Sequence, residues 1–531
     1  MKGAAVQKGY DFIIIGGGSA GAALAARLSE NPAAEVLLLE AGGRDWHPLY
    51  HLPAGFAKMT KGIGAWGWNT VPQRHMQDMV IRYTQARVIG GGSSINAQIY
   101  TRGNAADYDE WRQMGCDGWS YEDVLPYFRK AEHNDTFANR YHGKGGPLGV
   151  SQPRAPLPIC EAYFKAAAEA GIPRNMDFTG ATQDGVGYYQ LTQRNYRRAS
   201  TATAYLWPAR RRANLKVRTK AQVRRILVEG GRAVGVELPE GVIRAGSEVI
   251  VSSGAIGSPR LLQLSGIGPA DHLTSVGVPV VFDQPGVGAN LQDHLDLFVI
   301  AECSGPHTYD RFAKPHMSAL AGLQYALTRR GPVASSLFET GGFWYADPNA
   351  RSPDIQLHLG LGSGIEAGVT AMPQGGVTLN SAYLRPRSRG TVRLASADPV
   401  AAPLIDPNYW SDPHDREMSV RGLKLAQDIM RQAALKPYLL AERMPGPAVR
   451  SDQDYTDYAC RHAKTDHHPA GTCRMGADPA AVVDPQLRFN GIAGLRVVDA
   501  SVMPTVVSSN TNAATIMIAE KAADMILATY G

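Results

Sequence analysis

The chain has 531 residues, of which 44% are apolar and 19% are charged, with 57 glycines. It is too long for one compact core and too apolar to be disordered, so two domains or one large discontinuous pair are expected. The 54 Lys and Arg against 48 Asp and Glu leave a net charge of +6 without a basic stripe, which disfavours nucleic acid as a partner. A small-molecule enzyme fits better.

The five cysteines are odd in number and far apart, and none belongs to a CxxC pair. This usage favours a reduced, cytoplasmic setting over a zinc site or a redox pair. Residues 12–26 carry no charge over 15 residues, as in the apolar part of a secretion signal. The stretch is shorter than the roughly 18 residues that span a bilayer, and its glycines suit a turn. We expect no signal peptide and no integral membrane segment.

The first motif is a glycine-rich turn between two apolar runs. Residues 10–15 (YDFIII) are uniformly apolar, as in a buried parallel strand, and residues 16–21 (GGGSAG) open a helix. A second buried strand, residues 36–39, ends at Glu40. In such a βαβ unit the glycines admit backbone N–H groups to a pyrophosphate and the acid accepts ribose hydroxyls. This pattern predicts FAD or NAD rather than NADP, the alternative being a tight turn without a ligand.

Two features follow in the first half of the chain. Residues 90–96 (GGGSSIN) form a second glycine-rich loop, which by itself is also typical of a flexible turn. Six arginines then lie between residues 194 and 212, a density that would suit an acidic ligand or RNA. Without a net basic excess, a solvated face is the better interpretation. These arginines are Arg194, Arg197, Arg198, Arg210, Arg211 and Arg212.

Later segments fit the sheet of the first motif. Residues 249–255 and 495–500 each run from a buried strand into a turn of small residues, and we predict that both strands join the nucleotide-binding sheet. The stretches between these strands are richer in proline and aromatic residues and are predicted to form a second domain. The predicted division gives residues 1–150, 201–300 and 461–531 to the nucleotide-binding domain and residues 151–200 and 301–460 to the substrate domain.

Histidines supply the candidate base, because imidazole takes up a proton near neutral pH. His467 and His468 are adjacent, and neighbours in an extended segment point to opposite faces, so only one is expected to face a site. Adjacent histidines are poorly arranged for a metal, and no third ligand follows at a regular spacing, so no metal is predicted. His294 is interpreted as a hydrogen-bonded structural residue. No GxSxG elbow supports a hydrolase triad.

The end of the chain predicts a helix. Asn510, Thr511 and Asn512 precede the run AATIMIAEKAADMIL, and Asn or Thr caps a first turn. After a dinucleotide-binding strand, such a helix is able to point its positive end at a ligand. A capped surface helix is an equally good interpretation.

Six motifs occur in order along the chain: YDFIIIGGGSAGAALAARL, ARVIGGGSSINAQIYTRG from Ala86, GAIGSPRLLQLSGIGP from Gly254, GVGANLQDH from Gly286, HPAGTCRMG from His468, and RVVDASVMPTVVSSNTNAATIMIAEKAADMI from Arg496. Together, over about residues 10–528, they resemble the glucose–methanol–choline (GMC) family of FAD-dependent oxidoreductases. Within that family the chain is most similar to the choline-dehydrogenase-like alcohol dehydrogenases and oxidases of bacteria.

The resemblance implies the fold and the cofactor. It implies a Rossmann-like α/β FAD-binding domain of the p-hydroxybenzoate-hydroxylase type and an α+β substrate domain with an antiparallel sheet. It also selects FAD over NAD. The cofactor-binding residues that it implies are Gly16, Gly18, Ser19, Ala20, Gly21, Glu40, Ala41, Trp68, Arg87, Val88, Gly92, Ser93, Asn96, Ala97, Ile99, Val223, Asp499, Ala500 and Asn512.

The resemblance also implies the catalytic pair. It places His468, rather than His467, against the flavin, and it places Asn510 at a second catalytic position where relatives often carry His. Asn510 therefore leaves His468 as the one strong base. Ile95 stands where some relatives tether FAD through a histidine, which implies a non-covalent cofactor. Gly92 replaces a common serine, which loosens that loop without removing its backbone donors.

The implied reaction is oxidation of a primary alcohol to the aldehyde. His468 takes the hydroxyl proton, Asn510 holds the oxygen, a hydride passes to flavin N5, and the electrons go on to O2 or another acceptor. The alternatives are a choline dehydrogenase, a lyase of the hydroxynitrile type in which FAD is not turned over, and a photochemical decarboxylase.

An uncharged aromatic or medium-chain alcohol is expected in preference to choline. A quaternary ammonium needs an aromatic cage with a carboxylate, and the candidate members lie in separate segments. They are Trp66, Trp68, Trp344, Tyr345 and Glu339.

Overall fold

The computed structural model describes residues 9–59, 62–154, 156–363 and 372–530. Within these residues the α-helices are α1 (Ser19–Leu28), α2 (Phe56–Met59), α3 (Ala105–Gln113), α4 (Tyr121–Ala131), α5 (Pro158–Glu169), α6 (Trp207–Ala209), α7 (Gly254–Leu264), α8 (Ala270–Ser275), α9 (Pro315–Thr328), α10 (Pro413–Arg431), α11 (Asp452–His462) and α12 (Asn512–Tyr530).

The strands of the same residues are β1 (Tyr10–Ile15), β2 (Val36–Glu40), β3 (Trp68–Asn69), β4 (Arg82–Tyr83), β5 (Ile99–Tyr100), β6 (Glu132–Asn134), β7 (Leu148–Val150), β8 (Gly185–Tyr188), β9 (Gln190–Leu191), β10 (Gln193–Arg194), β11 (Arg197–Arg198), β12 (Leu215–Thr219), β13 (Arg225–Glu229), β14 (Arg232–Leu238), β15 (Gly241–Val251), β16 (Ile267–Gly268), β17 (Phe282–Asp283), β18 (Leu295–Cys303), β19 (Thr340–Trp344), β20 (Ile355–Gly360), β21 (Gly376–Tyr383), β22 (Thr391–Arg393), β23 (Leu404–Asp406), β24 (Leu439–Met444), β25 (Lys464–Thr465) and β26 (Leu495–Val497).

The first sheet has the strand order β12-β2-β1-β15-β14-β13, with β26 beside β15. The pairs from β12 to β15, and the pair of β15 with β26, are parallel. The two outer pairs, β13 with β14 and β14 with β15, are antiparallel. Phe12–Ile15 are all buried, as in a parallel strand covered on both faces. The βαβ unit and the return of residues 249–251 and 495–497 to the same sheet are confirmed.

The second sheet is antiparallel, with the order β24-β18-β21-β20-β19-β8 and β25 beside β18. Helix α10 packs against β18 and β21. The expected antiparallel sheet is therefore present. Its strands come from residues 185–465, and β18 begins at Leu295, slightly before the predicted domain boundary at residue 301. The domain division itself stays a prediction.

The C-terminal helix α12 is buried over most of residues 513–523 and packs against α1. The interpretation as a surface helix is therefore wrong, because both helices bury their small apolar side chains in the core of the first sheet. The uncharged stretch of residues 12–26 lies in this core too, in β1 and α1. Of the helices in the described residues, none combines the length and apolar character needed to cross a membrane.

Candidate active site

One cavity, of about 1150 Å³, is lined by residues of both sheets. It reaches the carboxyl ends of β1 and β2 at Ile15 and Glu40, and it reaches the second sheet at His358, Asn380 and Met444. In parallel α/β sheets, ligands bind at the carboxyl ends of the strands. The cavity therefore joins the predicted nucleotide-binding loops to the second domain.

The two glycine-rich loops pack on each other at the cavity wall. A Cβ atom on Gly91 would lie 2.6 Å from the Cα of Gly18, so the close approach of the loops requires glycine. Helix α1 follows Gly18 and has neither a capping side chain nor an acid in its first turn. Its first N–H groups, at the cavity-lining Ser19 and Ala20, therefore offer a site for an anion.

Glu40 is a buried carboxylate in the same wall. Its Oε2 accepts from the N–H of Gly17 at 2.8 Å and its Oε1 from the N–H of Gly42 at 2.6 Å. Burial raises the pKa of the Glu40 carboxyl, while the two N–H groups and Arg87 act in the opposite direction. Each oxygen keeps a second lone pair for a ligand hydroxyl.

Most of the predicted cofactor residues line this cavity. They are Gly16, Gly18, Ser19, Ala20, Glu40, Ala41, Trp68, Gly92, Asn96, Ala97, Ile99, Val223, Asp499, Ala500 and Asn512. Asn512 Oδ1 accepts from the Ser19 hydroxyl at 2.7 Å, which ties the start of α12 to the start of α1.

Gly21, Arg87, Val88 and Ser93 do not line the cavity. Gly21 lets α1 pack on the preceding turn, since a Cβ there would lie 1.9 Å from the Gly16 carbonyl oxygen. Ser93 Oγ donates to the carbonyl of Gly90 at 2.6 Å, and the carbonyl of Val88 accepts from the N–H of Gly91 at 2.9 Å. These residues shape the loops, and their direct contact with a cofactor stays a prediction.

Arg198 contradicts the expectation of a solvated arginine face. It is buried and donates to the carbonyl of Ser93 at 3.2 Å and to Oδ1 of Asn96 at 2.7 Å, so it supports the second glycine-rich loop. Burial lowers the pKa of its guanidinium to about 9. Arg194 and Arg197 of the same hairpin are exposed. Charge density along the sequence could not reveal which arginine turns inward.

His468 and Asn510 meet in the cavity wall. His468 follows β25 and Asn510 precedes α12, and the Nε2 of the histidine lies 3.0 Å from the Nδ2 of the amide. Asn510 Oδ1 accepts from the Thr101 hydroxyl at 3.1 Å and from Gln356 Nε2 at 2.9 Å. These two donors orient the amide so that its Nδ2 donates to His468. Thr101 stands in the ARVIGGGSSINAQIYTRG motif but was not among the predicted site residues, and Gln356 lies outside all six motifs.

A chain of hydrogen bonds sets the tautomer of His468. His294 Nε2 lies 3.1 Å from the carbonyl of Leu384, which only accepts, so this nitrogen carries the proton. The Nδ1 of His294 is then an acceptor, and it lies 3.0 Å from the Nδ1 of His468. His468 therefore donates from Nδ1 and presents a lone pair at Nε2.

Both rings are neutral in this arrangement. Burial lowers the pKa of His294 to about 3. Burial, reinforced by His294 and His358, holds the pKa of His468 well below its ordinary range. His294 is thus hydrogen-bonded, as expected, but its partner is the candidate base itself. The sequence offered no signal for this pairing beyond the position of His294 at the end of the GVGANLQDH motif.

Asp293 fixes the backbone of both histidines. Its Oδ1 accepts from the N–H of His468 at 2.8 Å and from the N–H of His294 at 3.0 Å. Its Oδ2 accepts from the hydroxyls of Tyr83 and Tyr409. Sequence reasoning missed this organising role, although Asp293 stands in the NLQDH motif.

His467 does not behave as an extended-chain neighbour of His468. Its φ is +62°, and its N–H donates to the Thr465 hydroxyl at 2.8 Å. Both His467 and His468 line the cavity, so the expectation that only one of them faces it is wrong. The left-handed turn at His467 removes the alternation on which that expectation rested.

The second domain contributes a mixed wall of apolar and polar groups. Phe338, Met372 and Met444 line the cavity together with Lys464, whose ammonium is paired with the buried Asp296. The charge of Lys464 is therefore neutralised by an ion pair.

The candidate ammonium cage is not assembled. Trp66 and Trp68 stack with ring centroids 4.9 Å apart and line the cavity. Trp344, Tyr345 and Glu339 do not line it, and the Glu339 carboxylate is fully buried. Burial raises the pKa of Glu339 to about 7. The five residues thus do not form one site.

Sequence models of the GMC oxidoreductases match the chain over residues 10–296 and 386–519. The chain belongs to the GMC oxidoreductase family. It is 43% identical to the mitochondrial choline dehydrogenase of Homo sapiens over 97% of its own length and 89% of that protein. It is 41% identical to an alcohol dehydrogenase (acceptor) of Pseudomonas putida, over 98% of its own length and 96% of the relative.

A solved GMC structure has the same architecture. The pyridoxine 4-oxidase of Mesorbium loti superposes with a TM-score of 0.88 at 33% identity, covering 97% of this chain and 98% of that one. As a GMC oxidoreductase, the protein is an FAD-dependent enzyme that acts on CH–OH donors.

The residues present fit FAD. The uncapped start of α1 suits a pyrophosphate, and Glu40 suits ribose hydroxyls. Gly92 leaves the cavity wall open for the cofactor, since a Cβ there would have no neighbour within 4 Å. In this GMC enzyme, these are the groups that would hold the dinucleotide.

One group of side chains in the described residues has the spacing of a metal site. His294, Asp466 and His468 each offer one ligand atom, and these atoms lie within 4.8 Å of one another. The hydrogen bond between the two Nδ1 atoms already accounts for the histidine geometry. That the protein uses no metal stays a prediction.

Proposed function

We propose that this GMC oxidoreductase oxidises a primary alcohol to the aldehyde. The observation that carries the proposal is the pairing of His468 Nε2 with Asn510 Nδ2, 3.0 Å apart in the cavity wall. One atom is a base and the other a donor, so together they match an alcohol hydroxyl. Such a hydroxyl donates to Nε2 while its oxygen accepts from the amide.

His468 accepts the hydroxyl proton at Nε2 as the C–H bond breaks. Its neutral ring is ready to do so, because the proton already present is held at Nδ1 toward His294. The Asp466 carboxylate lies 3.3 Å from that same Nδ1 and stabilises the imidazolium that forms. A general base of this kind contributes about 10² to 10⁴ in rate.

Asn510 orients the substrate oxygen and stabilises its developing negative charge. Its Nδ2 donor is fixed before the alcohol binds, since Thr101 and Gln356 hold the other end of the amide. A donor that needs no reorganisation is most effective in a site closed to water.

FAD, when bound, supplies the acceptor for the hydride that leaves the carbinol carbon. The reaction then balances, since the proton would go to His468, the hydride with its two electrons would go to FAD, and the aldehyde would be the product. The reduced enzyme passes its electrons to O2 or another acceptor.

The proposed substrate is an uncharged alcohol with an aromatic or medium-length chain. The apolar lining at Phe338, Met372 and Met444 supports it. Because the candidate ammonium cage is not assembled, an uncharged substrate is again favoured over a quaternary ammonium.

Oxidation of choline is the second candidate. The observation that favours it is the 43% identity with human choline dehydrogenase over nearly the whole chain. The carboxylate of Asp466 in the cavity wall is the group that would attract a quaternary ammonium in that case.

Non-covalent FAD is part of the proposal. Ile95 lines the cavity in the second glycine-rich loop and has no atom that bonds to a flavin. We expect the yellow protein to release all its FAD on acid or heat precipitation. Flavin that stays with the denatured polypeptide would show a covalent link through another residue.

Two further expectations belong to the same proposal. The parallel sheet with an antiparallel extension at β13 and β14 supports assignment of the FAD domain to the p-hydroxybenzoate-hydroxylase type. All five cysteines are buried free thiols, which supports a reducing, cytoplasmic location.

The decisive experiment is an absorption spectrum without oxygen. Adding benzyl alcohol or hexanol to the anaerobic, dark enzyme should bleach the oxidised flavin, and the aldehyde should appear in equal amount. A lyase or a photochemical decarboxylase would instead leave the flavin oxidised when the alcohol is added under these conditions.

Substrate class is tested by kcat/KM for benzyl alcohol, hexanol and choline. We expect either uncharged alcohol to exceed choline. A clear preference for choline would overturn the substrate proposal and leave the alcohol oxidation intact.

A further inference from the structure

Helix α9 is an apolar helix on the surface of the protein. Its 14 residues, Pro315–Thr328, contain no Lys, Arg, Asp or Glu. Only Ala321 and Tyr325 are buried in it. A helix of this composition is normally enclosed by the core.

Three leucines form a stripe along the free side of α9. Leu320 is 59%, Leu323 58% and Leu327 77% exposed. The spacing i, i+3, i+7 places them on one face of the helix. A contiguous exposed apolar face on a folded protein marks an interaction surface.

Cations frame this stripe at both ends. Arg311 and Lys314 precede the helix, Arg329 and Arg330 follow it, and all four are exposed. The single acid in residues 304–338 is Asp310. Its carboxylate accepts hydrogen bonds from backbone N–H groups at 3.0 Å and so faces the protein rather than the surface.

More arginines gather at the C-terminal end of α9. The Tyr325 hydroxyl donates to the carbonyl of Tyr196 at 2.6 Å, which anchors the helix on the β10–β11 hairpin. Arg154 stacks 3.3 Å from the centroid of the Tyr196 ring. Arg197 and Arg329 both lower the pKa of the Tyr325 hydroxyl against the stronger effect of burial, so both lie close to it.

We propose that α9 binds an anionic membrane surface, with its leucines in the boundary of the acyl chains and its flanking cations on the lipid phosphates. Fourteen residues extend about 21 Å, too short to cross a bilayer, so the helix lies in the plane of the interface. A two-fold contact with a second copy is disfavoured, because it would bring the same cations together.

The surface borders the substrate side of the cavity. Asp310, in the turn before α9, accepts hydrogen bonds from the backbone N–H and the hydroxyl of Ser363. Ser363 Oγ in turn accepts from the N–H of Met372 at 2.8 Å. Met372 and Phe338 line the cavity. If the proposed function holds, an apolar alcohol partitioned in the bilayer arrives beside its site; lipid binding itself does not depend on that function.

The test is sedimentation of the full-length, FAD-loaded protein with phospholipid vesicles. We expect the protein to pellet with vesicles of phosphatidylcholine and phosphatidylglycerol, and far less with phosphatidylcholine alone or in high salt. Leu323→Glu/Leu327→Glu and Arg329→Glu/Arg330→Glu should each lower the vesicle affinity about tenfold or more.

The matched control is Val400→Glu/Leu440→Glu, which places the same charges at exposed residues outside α9 (81% and 63% exposed). This variant should bind vesicles as the wild type does. Unchanged flavin absorbance and melting temperature show that each variant is folded. Turnover of soluble alcohols without vesicles should be equal in all of them.

Three results would overturn the proposal. The first is a wild type that stays in the supernatant with anionic vesicles, and the second is a leucine variant that binds them as well as the wild type. The third is a wild-type dimer that Leu323→Glu/Leu327→Glu converts to a monomer, without vesicle binding in either form, which would make α9 a protein interface.

Discussion

The Nδ1 atoms of His294 and His468 lie 3.0 Å apart, and this contact determines which nitrogen of His468 is the base. Because His294 donates from Nε2 to the Leu384 carbonyl, it accepts at Nδ1 and holds the His468 proton there. The Nε2 of His468 is left with a lone pair toward Asn510. A buried histidine that does not line the cavity thus positions the base.

Replacing His468 by Ala should lower the rate of alcohol-driven flavin reduction by about two orders of magnitude or more, the effect of losing a general base. His467→Ala is the matched control and should be much milder, since Asn510 pairs with His468. Anaerobic stopped-flow absorbance of the flavin measures both rates. A larger loss in His467→Ala would move the base role to the neighbouring residue.

Replacing Asn510 by Ala should lower kcat about a hundredfold through loss of the oxygen's donor. Asn510→Asp tests the effect of a negative charge at this position. A carboxylate beside Nε2 would favour a protonated His468, which is unable to accept the substrate proton. The flavin-reduction rate of Asn510→Asp should therefore rise with pH over a range in which the wild-type rate is constant. Rates across the pH range are the measurement. Parallel pH profiles for Asn510→Asp and the wild type would argue against a direct contact between the two side chains in solution.

Stability should fall as the pH drops below about 6.5, in part because of His294. Burial lowers the pKa of His294 to about 3 from an ordinary 6.5, so the unfolded chain binds a proton in this window that the folded chain refuses. One such group costs about 1.4 kcal/mol of unfolding free energy per pH unit between those values. Above pH 6.5 the His294 ring is neutral in both the folded and the unfolded chain, so it no longer lowers the free energy of unfolding.

The slope of unfolding free energy against pH, from denaturant titrations, measures this effect. His294→Leu should reduce the slope, whatever it does to stability at neutral pH. An equal slope in His294→Leu would mean that His294 is already protonated in the folded protein.

Glu40→Gln should weaken FAD binding more than it changes turnover of the flavin-loaded fraction. Both carboxylate oxygens accept backbone N–H groups, from Gly17 and Gly42, and an amide offers only one acceptor, so its NH2 would oppose an N–H. Reconstitution of the apoprotein with FAD gives the affinity. Glu229→Gln at an exposed carboxylate controls for charge, and wild-type affinity in Glu40→Gln would mean that this acid does not hold the ribose.

The local patterns were sufficient for four strands of the first sheet, but they did not predict β12, β13 or β14. Uniformly apolar runs predicted β1, β2, β15 and β26 because a strand buried on both faces has no polar side to display. The glycine-rich turn predicted the start of α1, and the ordered motifs predicted the family. The prediction of His468 came from the motif HPAGTCRMG; the argument from an extended segment was wrong, since His467 has a φ of +62°.

The tertiary structure alone decided how the site is held. His294 and His468 are separated by 174 positions, and Gln356 and Asn510 by 154, so no periodicity in the sequence relates them. Arg198 turns inward while Arg197 beside it stays exposed, and Trp344, Tyr345 and Glu339 lie away from the cavity. A motif indicates the local backbone conformation of its own segment. Contacts between distant segments arise only when the two sheets and their helices pack together, and so does the burial that shifts the pKa values of the side chains.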